Sequence, residues 1–85
     1  MQNRFKKDEV KWLVGEDNLA KVKEVTDVFY RSDYEFSYKF ITTGNTQISY
    51  YYQPGSVQVT IDDKFVYFQT ADKEKEAKAY VKQNI

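Results

Sequence analysis

The sequence predicts an α+β domain: a four-stranded antiparallel meander sheet with helices before and after it, packed mainly on one face. Three observations carry this. Tyr34, Phe36, Tyr38 and Phe40 alternate with Glu35, Ser37, Lys39 and Ile41, the period of a half-buried strand. Two tight-turn signatures, QPGS and IDDK, separate three further alternating runs. The registers that these turns impose put each inward-facing apolar residue opposite another on the same side of the sheet.

The chain begins with a short segment, Lys6 to Val14, that fits two periods. Val10, Leu13 and Val14 would share one side of a helix, whereas Val10, Trp12 and Val14 would alternate along a strand. Gly15 marks a break. Leu19, Val22, Val25 and Phe29 then fall at spacings of three, three and four, which predicts a helical face ending near Tyr30 to Ser32. Asp17 or Asn18 would cap it. Its valines and Thr26 lower helix propensity, so such a helix needs tertiary packing.

The strands follow. TTGNT supplies the first turn, and a three-residue loop of Thr43 to Asn45 pairs Phe40 with Ile48, Tyr38 with Tyr50 and Phe36 with Tyr52. A Pro54-Gly55 loop pairs Tyr52 with Val57 and Tyr50 with Val59. An Asp62-Asp63 loop pairs Val59 with Val66 and Val57 with Phe68. The final segment, TADKEKEAKAYVKQNI, reads as a helix with Ala77, Tyr80, Val81 and Ile85 on one side, Asp72 as cap, and a Glu74–Lys78 pair. The expected order is αββββα or ααββββα, in a single domain spanning residues 1–85. The first strand, 34–42, and the last, 64–70, are the two sheet edges in this scheme, so edge pairing into a homodimer is one expected route to assembly.

Composition narrows the chemistry. The 85 residues contain no cysteine and no histidine. Disulfides, thiolate metal sites and thiol nucleophiles are excluded, and the commonest general base near neutrality is absent. No catalytic, metal or cofactor-binding residues are assigned. Asp62-Asp63 reads as a turn, and Ser37, Ser49 and Ser56 have no histidine to activate them. The expectation is a protein that is not an enzyme and needs no cofactor. Thirteen basic residues balance thirteen acidic ones. Residues 1–14, with Arg4, Lys6, Lys7 and Lys11, carry a net +2, and residues 15–35 a net −3. No apolar run approaches the roughly 20 residues needed to span a bilayer. A cytoplasmic protein without membrane contact is expected.

The functional expectation rests on the sheet face turned away from the core. The predicted register places Ser37, Tyr51, Gln58 and Tyr67 in one row and Lys39, Ser49, Thr60 and Phe65 in the next. Ser37, Lys39, Tyr51, Gln58, Phe65 and Tyr67 form the candidate interaction face. Exposed rings on an open sheet suit a protein interface or base stacking. Ring–ring stabilisation of the sheet itself would also place them there. The low charge disfavours phosphate contact. Phe5 and Trp12, seven residues apart and flanked by lysines, are a second candidate, set against a role for Trp12 in the core. The expected function is a small non-catalytic protein-binding module, such as an inhibitor, adaptor or accessory subunit. Weak single-stranded nucleic-acid binding on the same face and a structural homodimer are the alternatives.

Overall fold

The computed structural model describes residues 5–85; Arg4, counted in the N-terminal charge, lies outside them. Two short turns open the described chain: a 3-10 turn over Lys7–Val10, and α1 over Lys11–Val14. Gly15 breaks the helix with φ 88° and ψ 151°, a conformation that side chains with a Cβ avoid. A second 3-10 turn spans Glu16–Lys21. Five strands follow as β1 (Val22–Ser32), β2 (Glu35–Thr42), β3 (Gln47–Gln53), β4 (Ser56–Ile61) and β5 (Lys64–Phe68). Helix α2 covers Lys73–Gln83. The strands form one antiparallel meander in the order β1-β2-β3-β4-β5.

The expected registers of β2 to β5 are those observed. Phe40 faces Ile48, Tyr38 faces Tyr50 and Phe36 faces Tyr52. Tyr50 faces Val59 and Tyr52 faces Val57. Val59 faces Val66, and Val57 faces Phe68. Local chemistry sets each turn. Asn45 takes a positive φ of 67° to close the Thr43–Asn45 loop, whose flanking Thr42 N–H donates to the Thr46 carbonyl at 2.9 Å. Gly55 takes φ 88°, the conformation that the second central position of a type II turn requires.

The region expected to be a second helix is instead a 3-10 turn and the strand β1, so the sheet has five strands. The spacing of three that imitated a helix has a strand origin. β1 pairs with β2 through irregular register: Val22 faces Thr42, Val25 faces Phe40 and Val28 faces Tyr38, with shifts between Val22 and Glu24, between Val25 and Asp27, and between Tyr30 and Ser32 next to the turn. Lys23 and Thr26 are the extra residues of two β-bulges. Each bulge adds one residue to the two-residue repeat, so inward positions recur every third residue. The valines and Thr26, poor helix formers, suit the strand. Asn18 does not cap a following helix; its side-chain amide donates to the Val14 carbonyl at 2.9 Å, at the end of α1.

One face of the sheet carries the core. Val22, Val25, Phe40, Ile48, Tyr50, Val57, Val59 and Ile61 are buried there. Val10, Leu13 and Val14 from the N-terminal turns and Ala77 and Val81 from α2 complete the cluster. Both terminal segments therefore lie on the same face, and α1 packs against α2. Asp72 occupies the cap position of α2 without a side-chain cap bond. Thr70 acts nearby, accepting from the Asp72 N–H at 3.2 Å and donating to Glu76 Oε1 at 2.9 Å. Lys78 does not pair with Glu74; its ammonium sits 4.1 Å from the centre of the Trp12 ring.

Edge positions change with the extra strand. β2 is interior, flanked by β1 and β3, so the edge expected at 34–42 is already paired. The actual edges are β1 and β5. The bulges along β1 break the regular row of backbone groups that strand addition needs.

Candidate functional site

The open face is built by the alternation of β2 to β5 and completed by β1. Ser37 pairs with Tyr51, Tyr51 with Gln58, and Gln58 with Tyr67. Lys39 pairs with Ser49, Ser49 with Thr60, and Thr60 with Phe65. All six residues of the expected interaction face thus share one surface. β1 adds Phe29, opposite Ser37, and Asp27, opposite Lys39. Sequence reasoning missed Phe29 because it read the segment as a helix. The signal that could have found it is the β-branched and aromatic run from Val22 to Tyr30, leading to the two-residue Asp33-Tyr34 connection.

The principal row crosses the sheet as Phe29, Ser37, Tyr51, Gln58 and Tyr67. Rings alternate with small or amide side chains, so successive rings stand two strands apart, about 10 Å. No ring in this row has an aromatic neighbour directly across a strand pair. Cross-strand ring pairing, the structural reason to place aromatics here, is therefore not what these residues do. Phe29, Phe65 and Tyr67 leave 44%, 52% and 51% of their surface exposed. Phe65 and Tyr67 meet edge to face at 5.0 Å along β5.

Hydrogen bonds fix part of this surface. The Tyr51 hydroxyl donates to Glu35 Oε2 at 2.6 Å, and Arg31 Nε lies 3.8 Å from Glu35 Oε1. The bond to Glu35 holds the Tyr51 proton and raises its pKa above the usual tyrosine value; Arg31 opposes the shift. Gln58 Nε2 donates to the Tyr67 hydroxyl at 3.4 Å. A hollow of about 370 Å3 lies between Phe29, Glu35, Ser37, Tyr51 and Gln58. A neighbouring one of about 590 Å3 runs past Thr26, Ile41, Gln47, Asp62 and Asp63. Lys39, Ser49 and Thr60 border both. Glu24 and Asp27 fall on this face by register, joining Glu35 and the two turn aspartates against Lys39 and Arg31. The open face is therefore more acidic than β2 to β5 alone imply.

The second candidate pair, Phe5 and Trp12, lies on the helical side of the sheet. Phe5 packs against the core. Trp12 lies across the rings of Phe36, Tyr38 and Tyr50, with centroids 5.7, 6.4 and 5.9 Å away, and keeps 41% of its surface exposed. It heads an aromatic cluster on the helical side of the sheet, near the β1–β2 turn. There Phe36 stacks on Tyr52 at 4.9 Å and 6°, and Tyr30 stacks on Phe36 at 6.3 Å.

Among the described residues, no group of three or more acidic side chains is arranged to hold a metal ion. No described helix is long and apolar enough to cross a membrane. Comparison of the chain with protein-family models, with curated proteins and with solved structures finds no match.

Proposed function

We propose that this chain is a small non-catalytic binding module, acting as an inhibitor, adaptor or accessory subunit, that docks its open sheet face onto a basic protein surface. The observation that carries the reading is the row of separated, half-exposed rings on a face that, among the described residues, neither terminal segment covers. Tyrosine and phenylalanine held on a rigid sheet offer large contact area at low entropic cost, and such rings dominate the energetics of protein interfaces. The surrounding carboxylates favour a cationic partner through complementary potential.

The same charge balance weighs against single-stranded nucleic acid, because Lys39 and Arg31 stand among five carboxylates. Phosphate binding there would release few counterions. The test is a pair of capture experiments with wild-type protein and with a Tyr51→Ala/Tyr67→Ala variant of unchanged fold, followed by affinity measurement on the recovered protein. Loss of about 2 kcal/mol or more, roughly thirtyfold, is the hot-spot expectation. Equal affinity of the two forms would sink the reading. An amide-shift titration with a mixed single-stranded oligonucleotide at low salt separates the alternative: shifts gathered on residues 37, 39, 51, 58 and 67 would favour nucleic acid.

A further inference from the structure

The aromatic cluster on the helical side borders an open hollow of about 440 Å3 that the open-face reading does not use. Its walls are the rings of Trp12, Tyr30, Phe36, Tyr38 and Tyr52. Two carboxylates, Asp33 and Glu74, stand at its border. We propose that this hollow receives the ammonium head of a lysine side chain from a bound protein.

Three observations point to that ligand. First, ring faces attract cations through their quadrupole, most strongly for tryptophan, and five rings surround one small space. Second, this cluster already engages alkylammonium groups. Lys78 Nζ lies 4.1 Å from the Trp12 ring centre, and Lys73 Nζ lies 5.4 Å from that of Tyr52. Both are lysine heads on flexible stems, the chemistry proposed for the guest. Third, Asp33 and Glu74 place carboxylates at the border, where Lys73 and Lys78 balance them until a guest ammonium displaces one of those lysines from its ring. Tyr30 donates its hydroxyl to Asp33, which fixes that carboxylate beside the rings. The rings lie at the end of the sheet near the β1–β2 turn, where Tyr30 keeps 64% of its surface exposed. A stem entering from that end would leave the core packing unchanged.

The test is a titration at constant ionic strength with three probes. They are a capped lysine peptide, its norleucine twin and n-butylammonium chloride. Trp12 is the only tryptophan, so its fluorescence and its indole resonance report the site directly. The lysine peptide should give a saturable change and the norleucine twin should bind about tenfold more weakly or worse, since it keeps the stem and lacks the charge. Tyr30→Ala and Glu74→Gln, both changes of accessible groups, should each weaken the peptide about three- to fivefold. Lys78→Gln should strengthen it, by removing a competing cation. Equal binding of the norleucine twin, or no saturable response of Trp12, would overturn the proposal. Binding of n-butylammonium as tight as that of the peptide would overturn the protein source of the cation.

Discussion

Tyr50 is fully buried at the centre of the sheet, yet its hydroxyl has no hydrogen-bond partner among the described residues. The ring packs edge to face on Trp12 at 5.9 Å and tilted on Tyr38 at 6.4 Å. Tyr50→Phe keeps both contacts and removes only the oxygen. A buried polar group without a partner costs about 1–3 kcal/mol of desolvation. The space left by one oxygen returns a small penalty, about 0.4 kcal/mol if some 15–20 Å3 stays empty. The net expectation is a gain of about 1 kcal/mol, which for a domain of this size raises Tm by about 4–8 °C. Urea denaturation followed by Trp12 fluorescence measures it: the midpoint should rise while the slope stays constant. A midpoint lowered by an amount worth about 1 kcal/mol would refute the reasoning, because it would mean that the hydroxyl makes a bond worth keeping.

Three further outcomes follow from the same structure. Tyr30, Tyr38, Tyr50 and Tyr51 all have pKa values raised above the normal tyrosine value, Tyr38 and Tyr50 chiefly by burial, Tyr30 and Tyr51 chiefly by bonds to Asp33 and Glu35. The folded state thus holds protons that the unfolded chain releases near pH ~10, so the tyrosine contribution to stability is fully present below that pH and is lost as pH climbs above it. Denaturant midpoints between neutral and strongly alkaline pH check this, and a flat profile would contradict it. Gly15→Ala should cost about 1–3 kcal/mol by urea titration, from backbone conformation alone. An added Cβ at Gly15 would meet nothing closer than the Lys82 side chain at 3.8 Å, so a neutral result would mean that the φ of 88° relaxes freely. Deleting Thr26 should leave unfolding cooperative with only a modest shift of the urea midpoint, because Thr26 is the extra residue between the pairs Val25–Phe40 and Asp27–Lys39 and its loss leaves those pairs and the inward valines in place; loss of the cooperative transition would show that the bulge itself is needed for the fold.

Much of the sheet was legible because turn chemistry and alternation agree from Glu35 to Phe68. Three turns of fixed loop length lock three registers, and a slip of one residue would bury Lys39 or Gln58. The six residues of the open face follow from those registers alone. The segment from Val22 to Ser32 was not legible by the same rule. Its two bulges convert an alternating pattern into a three-residue repeat, which periodicity cannot separate from a helix. Only the content of valine, threonine and aromatic residues argued for a strand. The position of Phe29 and the edge status of β1 were lost with it. Trp12 was hard to place for another reason: its neighbours Phe36, Tyr38 and Tyr50 lie on strands remote in sequence, and seven-residue spacing to Phe5 says nothing about them.

Helix α2 closes the core from the far end of the chain. Until Val81 has left the ribosome, the buried face of the finished meander lacks the helix that packs on β4 and β5, and Val57 and Val59 stand bare to water. The nascent sheet is thus a sticky intermediate whose hairpins can zip one after another without being able to finish. The arrival of a single amphipathic helix, docking beside α1, converts that intermediate into the native protein. Conditions that slow the docking of α2, rather than those that loosen the strands, are where aggregation of this chain should begin.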